Sequence, residues 1–309
     1  MRIVFFGTPA FAVPSLEALL DLGETVVAVV TQPDRPRGRS RSTLVAPEVK
    51  TRALAAGIPV LQPERPIGDD FLAALRAVRP DLGVVVAYGH ILRPSVLGTP
   101  PLGMINVHAS LLPAWRGAAP IQWSIAHGDA VTGVTIMRME AGLDSGPILL
   151  AKTTPITAEE TGGTLTARLA RLGAEALTEA ILQLRAGSVR ETPQDHARAT
   201  LAPKIGRAVA RIDWTRPAPE VAARIRGFDP IPGAWSAVGA TEIKLFRPTT
   251  ARAEGPGSPG LVLATSPALL VSAGTGAVQI GEVQPAGRPR LSTIDWIRGR
   301  PIAPGDRFQ

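Results

Sequence analysis

Short apolar runs alternate with amphipathic stretches over the first 190 residues. The apolar runs are typical of buried parallel strands and lie at 3–6, 26–30, 84–87 and 104–107. Helical patterns lie at 10–20, 47–56, 69–78 and 165–184, and further strands are expected at 134–139 and 148–151. This alternation predicts an α/β fold with a doubly wound, mostly parallel sheet, which binds ligands beyond the carboxyl ends of its strands.

The pattern changes beyond residue 187. Residues 187–207 are irregular and polar, and Pro193 and Pro203 interrupt them, which is typical of a linker. Short apolar runs separated by Gly/Pro turns follow at 234–238, 242–246, 260–264, 269–271 and 278–283. Short strands at close spacing predict a small β-barrel. We therefore expect an α/β domain at 1–187, a linker at 188–207 and a C-terminal β-barrel domain at 208–309.

The composition of the 309 residues narrows the class of protein. Hydrophobic residues make up 45% of the chain, but no run reaches the roughly eighteen apolar residues that a membrane span needs. The first residues lack the basic start and long apolar stretch of a signal peptide. The chain has no cysteine, which excludes a disulfide framework and thiol catalysis. We expect a cytoplasmic protein.

Most of the net charge of +7 lies in the C-terminal third of the chain. Residues 1–200 hold 19 Lys and Arg against 18 Asp and Glu, whereas residues 201–309 hold 14 against 8. A basic second domain indicates an anionic partner, with nucleic acid first among the candidates. From charge alone, simple solubility explains the excess equally well.

Polar side chains follow the apolar run that ends at residue 107. Asn106 and His108 share one face of this strand, because alternate side chains of an extended chain point the same way. Asp144 follows in a loop between Gly142 and Gly146. An amide donor, a titratable ring and a carboxylate are the parts of a general acid–base site with an oxyanion stabiliser. Taken singly, His108 also fits a hydrogen-bonded core residue and Asp144 a turn residue.

The residues around this trio are those of a known family. The strand continues from His108 into Ser110-Leu111-Leu112-Pro113, and Asp144 is followed by Gly146. This spacing resembles the signature of the folate-dependent formyltransferases. Further runs at 2–9, 32–36, 115–122, 132–137 and 211–214 are similar to the members that formylate methionyl initiator tRNA. The resemblance covers nearly the whole chain, and it implies an oligonucleotide-barrel-like, tRNA-binding C-terminal domain.

The resemblance implies an enzyme that transfers a formyl group from 10-formyltetrahydrofolate to the α-amino group of methionyl initiator tRNA, for translation initiation. The oxyanion of the tetrahedral intermediate needs hydrogen-bond donors already in place. Asn106 would supply one donor and protonated His108 another. Asp144 would hold the imidazole and raise its pKa, because a nearby opposite charge favours the charged form.

The resemblance also implies the binding residues. The folate would lie against three loops, formed by Ser110, Leu111, Leu112, Pro113, Tyr88, Gly89, Ile91, Leu92, Glu140 and Gly142. An arginine-rich loop would enter the tRNA acceptor stem through Arg35, Arg37, Arg39 and Arg41, with Arg39 as its key residue. Without the resemblance, this loop is equally a solvated surface. No metal and no membrane are expected as partners, and the family favours a monomer.

Two alternatives remain open at this point. The same catalytic trio would serve a formyltetrahydrofolate hydrolase or a formyltransferase with another acceptor, and only the basic segments favour tRNA. A non-catalytic nucleic-acid-binding protein on a degenerate fold would be expected to lack at least one of Asn106, His108 and Asp144. All three are present.

Overall fold

A computed structural model describes residues 1–37, 43–252, 258–299 and 302–309 of the chain. The chain divides into two compact units. Unit 1 consists of Met1–Pro120, Thr132–Pro155 and Thr166–Ala202, and unit 2 of Ile121–Val131, Ile156–Leu165 and Pro203–Gln309. The domains expected from the sequence, at 1–187 and 208–309, are segments that should each fold alone. Their limits stay a prediction.

The first 202 residues alternate strands with helices. The strands are β1 (Arg2–Gly7), β2 (Thr25–Val30), β3 (Arg35–Arg37), β4 (Thr43–Val45), β5 (Val60–Leu61), β6 (Leu82–Val86), β7 (Met104–His108), β8 (Arg116–Gly117), β9 (Val131–Arg138), β10 (Ile148–Pro155) and β11 (Leu201–Ala202). The helices are α1 (Val13–Asp21), α2 (Glu48–Ala55), α3 (Asp69–Ala77), α4 (Pro94–Leu97), α5 (Pro120–His127) and α6 (Gly162–Arg185). Among the described residues, no helix has the length and apolarity needed to cross a membrane.

Unit 1 is built on a seven-stranded sheet with the order β10-β9-β7-β6-β1-β2-β5. The strands from β7 to β5 are parallel to their neighbours, whereas β9 runs antiparallel to β7. Side chains such as Phe6, Val30 and Leu75 are buried between the sheet and its helices. The mostly parallel α/β fold predicted from the sequence is confirmed. Because β1, β2, β6 and β7 are parallel, the segments that follow them meet at one edge of the sheet.

The strand predicted at 84–87 is observed as β6, which begins two residues earlier and ends one residue earlier. Its last observed residue is Val86, because Ala87 has a φ of 48° and leaves the extended conformation. The sequence pattern also missed the short elements α4, α5, β5 and the β3–β4 hairpin. These short elements have neither a continuous apolar run of four or more residues nor enough positions to show a helical period.

Unit 2 contains a six-stranded antiparallel sheet. Its strands are β12 (Trp235–Val238), β13 (Thr241–Ala251), β14 (Val262–Ala264), β15 (Leu269–Ser272), β16 (Ala277–Pro285) and β17 (Leu291–Ser292), and its helices include α7 (Ala218–Gly227) and α8 (Thr293–Gly299). The order is β12-β13-β16-β15-β14, with β17 beside β16. The last residues bond to both edges, since Gln309 pairs with Ala237 and Phe308 donates to Gly260. The small C-terminal β-barrel domain predicted from the sequence is confirmed as an antiparallel half-barrel, to which α7 and α8 are added.

Candidate active site

Asn106 and His108 lie on the last parallel strand of the sheet. In β7, Asn106 is opposite Val85 of β6, and His108 is opposite Thr135 of β9. Because the two residues alternate with Val107, they share one face of the sheet, as predicted. His108 is buried and Asn106 is half-buried. The imidazole is therefore shielded from water, while the amide next to it can reach a ligand.

A tight turn follows β7 and returns the chain to the His108 ring. Thr135 Oγ1 donates to the carbonyl of Ser110 at 2.7 Å and accepts from the Leu112 N–H at 3.1 Å. The buried Ser110 hydroxyl donates to the carbonyl of Ala114 at 2.6 Å. The next carbonyl, that of Trp115, lies 3.0 Å from His108 Nε2. Since a carbonyl only accepts, this contact places a proton on Nε2.

Asp144 reaches the other nitrogen of the same ring. Its Oδ2 lies 3.7 Å from His108 Nδ1 and accepts a hydrogen bond from the Gly117 N–H at 2.8 Å. Because β9 is antiparallel to β7, its last residue, Arg138, is opposite Ile105, at the far end of β7 from His108. Residues 139–146 must therefore fold back to deliver Asp144. The structure brings together the pair that the sequence could not show to meet.

Burial works against the protonated His108 expected from the sequence. Burial lowers the pKa of the imidazole below its usual 6.5, although the Asp144 carboxylate and the Trp115 carbonyl act in the opposite direction. The positive charge of Arg116 lowers this pKa further. Asp144 thus acts in the direction expected from its charge, but desolvation of the ring outweighs it. The lowered pKa favours the neutral ring, with its proton on Nε2 and with Nδ1 as the acceptor.

The lowered pKa of His108 predicts how this ring titrates in the folded protein. We expect one ring signal in a ¹³C-histidine NMR titration to have its midpoint below 6.5, and this signal to be absent from His108→Gln. The unfolded chain takes up the proton near pH 6.5 but the folded protein does so only at lower pH. The contribution of His108 to stability is therefore lost as the pH falls below 6.5. A midpoint above 6.5 for His108 would contradict this.

Two further polar residues of the site, Arg116 and Gln194, were not among the site residues predicted from the sequence. Arg116 is buried, and its guanidinium donates to the Gln194 side chain and to His196 Nδ1 at 3.0 Å. Residues 200–202 then run beside the turn, since β11 pairs with β8 and Ala202 accepts from the N–H groups of Ala118 and Ala119. Part of the segment that resembled a linker is therefore packed against the loop that follows β7.

The loops predicted to hold the folate expose apolar side chains. Ile91 is 86% exposed and Leu143, beside Asp144, is 59% exposed. Gly89, Glu140 and Gly142 are also exposed, Leu111 and Pro113 are half-buried, and Tyr88, Leu92, Ser110 and Leu112 are buried. Thr8 and Gln32 fix the base of the first loop, because their side chains donate to the Tyr88 carbonyl, each at 3.0 Å. We expect the buried members to shape the loops and the exposed ones to contact a ligand.

The arginine-rich loop begins as an antiparallel hairpin after β2. Arg35 pairs with Val45 and Arg37 with Thr43, and the Arg35 side chain is exposed. Arg39 and Arg41 lie outside the described residues. At the base of the hairpin, the Asp34 carboxylate accepts hydrogen bonds from Lys50 and from Gln62. These bonds hold the pKa of Asp34 below its usual value.

Comparison with known proteins agrees with this architecture. Residues 1–181 match the family model "Formyl transferase", and residues 204–301 match "Formyl transferase, C-terminal domain". The methionyl-tRNA formyltransferase of Pseudomonas paraeruginosa is 50% identical over 302 residues, which cover 97% of this chain and 96% of the relative.

Solved structures share the fold at lower identity. The sugar 3N-formyl transferase WlaRD, crystallised in the presence of dTDP and 5-N-formyl-THF, aligns with a TM-score of 0.67 at 18% identity, over 94% of this chain and 99% of that one. HypX from Aquifex aeolicus in complex with tetrahydrofolic acid aligns with a TM-score of 0.63 at 20% identity. That alignment covers 96% of this chain but only about half of HypX, 47% of its length.

The sheet, the trio at the end of β7 and the two matched models define the class of protein, a formyltransferase. The full-length identity of about one half to a curated relative goes further. The chain belongs to the methionyl-tRNA formyltransferase family.

Proposed function

We propose that this enzyme transfers the formyl group of 10-formyltetrahydrofolate to the α-amino group of methionyl initiator tRNA. The observation that carries the proposal is the His108–Asp144 contact of 3.7 Å, beside Asn106 at the carboxyl end of a parallel strand. Family membership supports methionyl-tRNA as the acceptor. The excess of basic residues in the chain also supports a polyanionic acceptor. The absence of cysteine fits a reducing compartment, and we place the reaction in the cytoplasm.

The reaction needs a base and an oxyanion stabiliser. The amine nitrogen attacks the formyl carbon and forms a new N–C bond, while the carbonyl oxygen takes on negative charge. Asn106 donates its side-chain N–H to this oxygen. The bond between the formyl carbon and folate N10 then breaks, and the proton released by the amine ends on N10.

His108 carries this proton between the two nitrogens. Its neutral ring accepts the proton at Nδ1, the nitrogen that faces Asp144, and the carboxylate stabilises the imidazolium that forms. The Trp115 carbonyl keeps Nε2 as a donor throughout. The base therefore works in its neutral resting form, in keeping with the lowered pKa of His108.

The exposed apolar side chains of the site favour a formyl donor that carries a planar ring. Ile91 and Leu143 lie in two different loops and are exposed, which suits contact with the apolar face of a ring. We propose that these loops bind the pterin of the folate, and that Leu111 and Pro113 border it.

The test is a formyl-transfer assay with three acceptors. The full-length enzyme should formylate methionyl initiator tRNA from 10-formyltetrahydrofolate much faster than it formylates methionyl elongator tRNA or transfers the group to water. Equal rates with the two tRNAs would remove initiator selectivity from the proposal. Transfer to water alone would make the protein a hydrolase.

We propose that the arginine-rich loop binds the acceptor stem through Arg35, Arg37, Arg39 and Arg41. Replacing Arg39 with Ala should lower kcat/KM for initiator tRNA and leave folate binding unchanged. Removal of a single arginine–phosphate interaction should make the salt dependence of log kcat/KM shallower by about 0.7–0.9. The measurement is kcat/KM at two salt concentrations with initiator and mischarged elongator tRNA.

Arg76→Ala is the matched control for this variant. Arg76 is an exposed arginine near the end of α3, which leads into the start of β6 and so lies at the opposite edge of the sheet from the end of β2. It should behave as wild type. If Arg39→Ala also gives wild-type values with both tRNAs and at both salt concentrations, the loop is only solvated surface.

A further inference from the structure

Gln194 is a buried amide outside every motif of the sequence. Its side chain is 6% exposed and lies between two loops of unit 1. Nε2 donates to the carbonyl oxygens of Asp144, at 2.9 Å, and Gly146, at 2.7 Å. Oε1 accepts from the Arg116 guanidinium, at 2.6 Å from Nη2 and 3.2 Å from Nε. A single side chain thus uses both of its donors and its acceptor.

The chemistry of these partners fixes the orientation of the amide. Carbonyl oxygens only accept hydrogen bonds and a guanidinium only donates them. The nitrogen of Gln194 must therefore face residues 144 and 146, and its oxygen must face Arg116. The reverse orientation would set acceptor against acceptor and donor against donor. Neither a carboxylate nor an apolar side chain can make the same set of bonds.

The two loops that Gln194 joins are the loops that hold the His108 ring. Trp115, next to Arg116, supplies the carbonyl at Nε2, and Asp144 supplies the carboxylate at Nδ1. Trp115 has a φ of 60° and Asp144 a φ of 47°. Non-glycine residues keep this conformation only where surrounding contacts enforce it. Gln194 bonds directly to the backbone of Asp144 and to the side chain that follows Trp115.

We propose that Gln194 is a positioning residue for formyl transfer, which holds the loops of Trp115 and Asp144 at their distances from the His108 ring. The inference rests on the proposed function, because it assigns Gln194 to the same catalytic pair. Gln194 acts through Asp144 and His108 and does not contact the substrate. A misplacement of about 1 Å in such a site can lower turnover about a hundredfold.

Two variants separate the hydrogen bonds of Gln194. Gln194→Met keeps the length of the side chain and removes all four hydrogen bonds. Gln194→Glu keeps an acceptor for Arg116 but has no donor for the carbonyls of Asp144 and Gly146. Both should lower kcat about ten- to a hundredfold at temperatures well below their unfolding midpoints. Gln183→Ala, a glutamine near the end of α6 whose side-chain amide donates to Glu179, is the control and should match wild type.

A positioning role is distinguished from a merely structural one by introducing Gln194→Met and Gln194→Glu into the Asp144→Asn variant. If Gln194 acts through Asp144, Gln194→Met should cost at most about twofold more there, because the pair is already disabled. A full multiplicative decrease in that background would overturn the inference, as would wild-type kcat in Gln194→Met or rescue by Gln194→Glu. If the wild-type enzyme shows no formyl transfer, the proposed function has failed instead.

Discussion

His108→Ala is expected to lower turnover of formyl transfer by about 10²–10⁴-fold, the usual contribution of a positioned acid–base group. The variant removes the one ring that lies between the Trp115 carbonyl and the Asp144 carboxylate. Binding of folate should change little, because the loops at 88–92 and 110–113 keep their own hydrogen bonds. The measurement is single-turnover transfer to initiator tRNA, together with folate affinity.

His127→Ala is the matched control for this experiment. His127 ends α5, its side chain is 69% exposed and it pairs with Asp129. It should have wild-type turnover. Near-normal turnover in His108→Ala would exclude the proton-transfer mechanism proposed above.

Combining changes in the trio should add little to the most damaging single change. Asn106→Ala and Asp144→Asn should each lower turnover about 10²–10³-fold, because one removes an oxyanion donor and the other the charge that stabilises the imidazolium. The double variant His108→Ala/Asp144→Asn should be close to His108→Ala alone, since residues that act as a unit are non-additive. Asp144→Asn keeps an oxygen for the Gly117 N–H, so the loop should stay in place.

The measurement is kcat for the three single variants, the double variant and the triple variant under one set of conditions. Effects that multiply, so that the triple variant approaches the product of the singles, would mean that the three residues work independently. The thermal unfolding midpoint of each variant separates impaired chemistry from impaired folding.

The sequence predicted the strands whose apolar runs are nearly continuous. The strands that became β1, β2 and β7 lie within one or two residues of their expected bounds, because each buries nearly every side chain in a parallel sheet. Alternation along β7 also placed Asn106 and His108 on one face. The Asp144 contact required a loop to reverse its direction after an antiparallel strand, and no local pattern encodes such a path.

The lowered pKa of His108 and the contacts of Gln194 could not be predicted for a different reason. The pKa of His108 depends on how much water the folded loops exclude, whereas the sequence showed only the neighbouring charge. Gln194 stands in a polar, proline-containing segment whose composition is that of a linker. The role we propose for it comes from three partners that are 48 to 78 residues away along the chain.

The left-handed backbone around the site limits how the enzyme can be made more heat-resistant. Ala87 and Asp144 have φ values of 48° and 47°, a region that costs non-glycine residues roughly 1–2 kcal/mol and leaves glycine unstrained. Ala87 contributes only a methyl group, so glycine there removes nothing that the chemistry uses. At Asp144 a glycine would relieve the same backbone strain, but it would delete the carboxylate. A search for stabilising glycines would therefore rank these two positions alike, and only the first is compatible with catalysis.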